Sequence, residues 1–143
     1  MKYENNPRSG RSVFMFNSNA FDYINVLDKA ADASALRNKV IANNIANDDT
    51  PGYKRQDVSF EKELDRALGY SRYETMDAKV ANVKAGELDA RVYTDAPGFS
   101  YRLDENNVDI DSENAYLAEN QIKYNALIDS MTAEFKNLQT VMK

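Results

Sequence analysis

The sequence predicts an all-α-dominated fold: two long terminal helices packing as a coiled-coil-like pair, with a short helix and a small β-hairpin or mobile segment between them. Three observations carry this. Apolar residues recur at strict 4-3 spacing through the last part of the chain. An Ala-rich stretch over residues 20–46 contains neither Pro nor Gly. The segment between, residues 69–107, has few large apolar side chains with which to build a core.

Residues 1–18 read as a disordered tail, because Asn5, Asn6, Pro7, Ser9, Gly10 and Ser12 offer nothing to bury. Residues 19–143 then read as a single domain. On the helix of residues 20–46, Ile24, Leu27, Ala31, Ala35, Ala42 and Ile45 share one face. Val26, Ala33, Leu36 and Val40 lie nearly opposite. Two opposed stripes imply neighbours on both sides. Asn47 tolerates the left-handed conformation that often follows a helix, and Pro51 drives Thr50 extended. Pro51-Gly52 supplies the central residues of a type II turn. A short helix follows over Phe60–Leu68, with Ser59 as candidate cap and Phe60, Leu64 and Leu68 at i, i+4 spacing.

In the weakly ordered middle, the best local signal is a hairpin. Arg91–Thr94 would turn through Pro97-Gly98 and pair with Phe99–Leu103, where the larger apolar side chains alternate. The last helix is expected within residues 108–143, opened by Asp109, Asp111 and Glu113, whose charge suits a helix start. Its stripe runs Leu117, Gln121, Tyr124, Ile128, Met131, Phe135, Leu138 and Met142, broken only by Gln121. Leu127 and Val141 widen it, and Asn125, Asp129, Lys136 and Thr140 occupy the far side. This stripe, without Gln121, is the candidate subunit-packing seam. Two helices paired once leave apolar stripes uncovered, so the fold is expected to complete on assembly with another copy or a sister subunit.

The 143 residues carry a net charge of −5, from 18 basic and 23 acidic side chains. That balance argues against nucleic acid or an anionic membrane as partner. There is no Cys and no His, which removes thiolate nucleophiles, His-based triads and Cys/His zinc sites. No apolar run approaches the ~20 residues of a membrane helix, and the first residues lack the apolar region of a secretory signal. The spacing of Asp109, Asp111 and Glu113 resembles the opening of an EF-hand loop, but Asn114 and Asn120 stand where that loop needs Gly and Glu. The five glycines are scattered, so no phosphate loop forms. The nine tyrosines lack interleaved basic residues and read as core or interface aromatics. No catalytic, cofactor or metal residues are expected, no small-molecule substrate, and no enzyme activity.

The run Ala42-Asn43-Asn44-Ile45-Ala46-Asn47-Asp48-Asp49-Thr50-Pro51-Gly52-Tyr53 resembles the amino-terminal signature of flagellar rod, hook and hook-associated proteins. Physically it reads only as a helix stop and a turn. Lys54–Phe60 resembles the proximal rod proteins of the FlgB type. So does the run from Tyr101 to Asp111, followed by Leu117-Ala118-Glu119-Asn120 and Tyr124. The resemblance implies a structural subunit of the proximal rod in the flagellar basal body, exported through the flagellar type III apparatus without a cleaved signal peptide. It implies helical stacking that transmits torque across the cell envelope for motility. Other rod proteins, copies of itself, the membrane-ring adaptor subunit and the export apparatus are the implied partners. Residues 1–14 precede the point, close to Met15, where such proteins begin, and are expected to be dispensable. The alternatives are a FlgC-type sister rod protein or a soluble helical adaptor or export chaperone.

Overall fold

The computed structural model describes residues 19–69, 74–83, 88–96, 98, 100 and 102–142; the expectations for residues 1–18 and for Pro97, Phe99 and Tyr101 lie outside them. In chain order the elements are α1 (Asn19–Ala46), β1 (Gln56–Ser59), α2 (Glu61–Leu68), α3 (Met76–Asn82), β2 (Arg91–Thr94) and α4 (Ile110–Val141). The two terminal helices dominate, at about 42 and 48 Å for 1.5 Å per residue. They pack along each other. Asn44 near the end of α1 bonds Glu113 at the start of α4, and Ser34 bonds Asn120, so the pair is antiparallel.

α1 has partners on two faces, as its two stripes require, but both partners lie within the chain. Ser34 and Asn38, which bond Asn120 of α4, share the face of Leu27, Ala31 and Ile45. The opposite stripe enters the apolar core: Ala33 is buried with Phe60 and Leu88, and Val26, Ala30, Leu64, Val83 and Ala90 pack around them. The middle segment is therefore the cover of that second stripe, and a neighbouring subunit is not needed for it. Ala42, placed on the first stripe, is exposed.

Three local expectations are corrected. β2 forms where the alternation placed a strand, but its partner is β1, antiparallel, with Gln56 opposite Thr94 and Ser59 opposite Arg91. Ser100, Arg102 and Leu103 join no strand. Ser59 is the last residue of β1, so it is unavailable as a cap; Phe60 takes the cap position of α2 without a side-chain hydrogen bond, anchored instead by burial of its ring. Asn47 does not enter the left-handed region. Its N–H is shared between the carbonyls of Asn43 and Asn44, at 3.2 and 3.1 Å, and its side chain donates back to the Asn43 carbonyl at 2.8 Å. The turn after it is as expected: Gly52 has φ +73°, and Tyr53 N–H bonds the Thr50 carbonyl at 3.2 Å. α4 is capped by Asp109, which accepts from Asp111 N–H at 3.2 Å and Ser112 Oγ–H at 2.6 Å. The Ser112 hydroxyl, then the two backbone N–H groups, hold the Asp109 carboxyl below its ordinary pKa.

Candidate functional site

The two sequence runs that carry the family resemblance, some fifty residues apart, meet at one end of the helix pair and bond to each other. The centre is Asn44, wholly buried. Its amide nitrogen donates to the Gln56 carbonyl at 2.8 Å and to Glu113 Oε2 at 3.0 Å. Its Oδ1 accepts from Gln56 N–H at 3.0 Å and from the Tyr53 hydroxyl at 3.2 Å. One side chain thus joins α1, the turn, β1 and α4, with its hydrogen-bonding capacity filled.

Glu113 is 1% exposed, a position that a carboxylate tolerates only when paired. Its pair is Arg55, whose Nε lies 2.6 Å from Glu113 Oε1. Burial of Arg55 works against its charge, but the bond to Glu113 and the fields of Glu113, Asp57 and Asp95 outweigh it and hold the guanidinium above its ordinary pKa. Arg55 also reaches Asp95 at 2.8 Å. Burial, then the negative charge of Glu113, raises the pKa of the Tyr53 hydroxyl, which keeps it a donor to Asn44.

Asn106, also fully buried, is the counterpart from the second run. Its amide nitrogen reaches the carbonyls of Asn47, Asp48 and Thr50 at 2.8–2.9 Å, and its Oδ1 accepts from Val108 N–H at 2.7 Å. Gly52 N–H donates to the Asp104 carbonyl at 2.8 Å. Arg102 ties Asp48 and Asp104, each at 3.0 Å, and Asn107 Oδ1 accepts from Arg55 N–H at 2.7 Å. The loop after α1 and the loop before α4 are therefore two sides of one polar clasp.

Among the motif residues named from the sequence, Asn44, Asn47, Thr50, Gly52 and Tyr53 take part in the clasp. Asn43 lends its carbonyl to Asn47, Ile45 is half-buried, and Ala46 and Pro51 are exposed. Arg55, Asn106, Asn107 and Glu113 were not singled out as site residues. Glu113 does lie in the first turn of α4, as its reading as a helix-start acid expects, and it is buried as well.

The α4 stripe divides in two. Leu117, Tyr124, Met131 and Leu138 are half-buried, as is Leu127. Ile128, Phe135 and Met142 are exposed, at 36, 54 and 83%. Val141, and Ile122 on another face of the helix, are 83 and 72% exposed. Near the free end, Phe21, Phe135, Leu138 and Met142 line an open, mainly apolar groove.

Two long helices locked at one end by buried polar groups, with apolar side chains bared along the other, define a structural building block. A profile described as "Flagella basal body rod protein" matches residues 24–54, which is most of α1 and the turn that follows. The flagellar basal body rod protein FlgB of Bacillus subtilis is 41% identical over 81% of this chain and 89% of its own length. The Borrelia hermsii FlgB is 36% identical over 84% of this chain and 95% of its own; the Salmonella typhimurium FlgB is 31% identical over 80% and 88%. The chain belongs to the FlgB family of flagellar basal body rod proteins. It is a structural subunit of the flagellar basal body, and it assembles with other rod components.

Proposed function

We propose that the exposed edge of α4 is the seam through which this subunit packs into the proximal rod, against copies of itself and sister rod proteins. The observation that supports this is the bared apolar series Ile128, Phe135 and Met142, seven residues apart, so that it follows one side of a long helix. The clasp holds the helix pair in one register, and the edge then buries against a neighbour. On this reading the chain has no catalytic role. It reaches the periplasmic part of the basal body through the flagellar type III apparatus without a cleaved signal, and meets the membrane-ring adaptor subunit and the export apparatus there.

Phe135→Asp tests the seam, with Thr140→Asp as control on the far side of the same helix. The variant forfeits aromatic burial of about 2 kcal/mol per subunit and adds an unpaired carboxylate costing several more. Phe135→Asp is expected to abolish swarming and recovery in hook–basal bodies while the exported amount is unchanged; Thr140→Asp is expected to resemble wild type. Equal, mild effects from both would refute the seam.

A further inference from the structure

A cleft of about 370 Å³ opens where α1, β1, α2 and the first half of α4 meet, well away from the Phe135 edge. Its three cations are already engaged. Arg37 holds both oxygens of Glu61, at 2.6 and 2.7 Å, and donates to the Val58 carbonyl. Lys123 closes on the same Glu61. Arg55 lies between Glu113 and Asp95.

Two acceptors are left over. Glu119 lines the cleft from α4 and, among the described residues, has no ion-pair partner. Asn120 beside it is 3% exposed. Its amide nitrogen is spent on the Ser34 carbonyl and Asn38 Oδ1, both at 2.8 Å, whereas its Oδ1 is buried and accepts no hydrogen bond from the described residues. A buried acceptor without a donor is unfavourable, because it has given up water and gained nothing in return. The carboxylates lining the cleft (Asp57, Glu61, Asp95, Glu119) together with Glu113 behind Arg55 outnumber the cations, so the local field is negative.

We propose that this cleft receives a lysine or arginine side chain from a neighbouring rod subunit, its head group donating to Asn120 Oδ1 and pairing with Glu119. An anion would meet a negative field, and a neutral amide would leave Glu119 unpaired; only a cationic donor answers both groups. Tyr116, stacked 5.2 Å from the Arg55 guanidinium, supplies a flat wall for the aliphatic stem. The proposal rests on membership of the rod and is independent of the Phe135 seam.

The test is Glu119→Lys in the full chain, in motile cells lacking the wild-type copy, with Glu119→Gln as the milder variant. Recovery in hook–basal bodies is expected to fall tenfold or more for Glu119→Lys and less for Glu119→Gln, with melting temperature and exported amount unchanged. Replacing Tyr116 with a photoreactive phenylalanine and irradiating assembled basal bodies is expected to give an adduct on a Lys- or Arg-containing peptide of another subunit. Wild-type recovery of Glu119→Lys, or no adduct with any rod subunit, would overturn the proposal and leave solvent as the donor to Asn120. Loss of assembly in Phe135→Asp with none in Glu119→Lys would reject the cleft alone; wild-type assembly in both would reject the two interfaces together.

Discussion

Asn44→Ala should be the most damaging small substitution in the chain. The side chain is fully buried and makes four hydrogen bonds, two given and two received. Truncation leaves the Gln56 N–H and carbonyl without these partners and takes one donor from Glu113, a carboxylate with 1% exposure. Each buried polar group left unmet costs about 1–3 kcal/mol. Gln56 and Tyr53 are only half-buried, so water recovers part of their loss, whereas the deficit at Glu113 stays nearly whole. The sum is about 3–4 kcal/mol. Urea unfolding of the purified chain, followed by circular dichroism, measures it. Asn44→Asp adds a sharper test, because it sets a second carboxylate where Asn44 donated to Glu113. It should be at least as destabilised at neutral pH and recover as the pH falls and one of the two acids takes a proton. A loss below about 1 kcal/mol for Asn44→Ala, or an Asn44→Asp deficit that ignores pH, would refute the view of Asn44 as the keystone of the clasp.

Three further outcomes follow from other contacts. Glu61 is held well below the ordinary carboxylate pKa, first by its bonds from Arg37 and then, after the opposing effect of burial, by Lys123. A depressed folded-state pKa gives stability that is complete above the unfolded value, about 4.3, and is lost as the pH falls through the folded one. Half of Glu61 is open to solvent, so the contribution is about 1 kcal/mol. The stability gap between wild type and Glu61→Gln should be flat above pH 5 and shrink in acid; a gap independent of pH would contradict this. Gly52→Ala should cost about 1 kcal/mol from left-handed backbone alone, since an added Cβ there meets nothing within 4 Å; a loss above about 3 kcal/mol in the same urea assay would mean the turn is tighter than it is drawn. Deleting residues 1–14 should leave swarming intact at unchanged protein levels, and lost motility would count against it.

The elements that were legible in the sequence are those set by near neighbours. α1 and α4 follow from helical periodicity, and the turn from Pro51-Gly52, because the relevant residues lie within a few positions of one another. β1 was not legible. Of Gln56–Ser59 only Val58 is buried, and the strand exists because β2, more than thirty residues on, supplies the ladder. The hairpin reading failed for the same reason: alternation located Arg91–Thr94 but says nothing about its partner. The clasp was hidden more thoroughly, since a periodicity argument sends polar residues outward. Asn44, Asn106, Glu113 and Asn120 are polar and buried, so each is misread until its partner, 12 to 86 positions away, is brought beside it. Even in the stripe of α4, Gln121 stood out as the interruption, yet its neighbour Asn120 is the buried one.

That polar burial answers a problem set by the helices themselves. Apolar side chains that recur along a helix face can pack again after a heptad shift, so apolar packing discriminates weakly between such registers. The polar contacts discriminate strongly. A slip of seven residues would set Asn120 opposite Leu27 and Ala31 in place of Ser34 and Asn38, taking from its amide nitrogen the side-chain acceptor that Asn38 Oδ1 supplies. The same slip would carry Glu113 away from Asn44 and Arg55, uncovering a buried carboxylate at a cost of several kcal/mol. Since Asn106 separately fastens the loop before α4 to the loop after α1, the register is pinned from both sides of the clasp. A rod repeats one subunit geometry many times, and a one-heptad error, about 10 Å along a helix, would misplace Ile128 and Phe135 in the proposed seam. The seam proposed for the free end therefore depends on a register set by the buried polar groups at the clasped end.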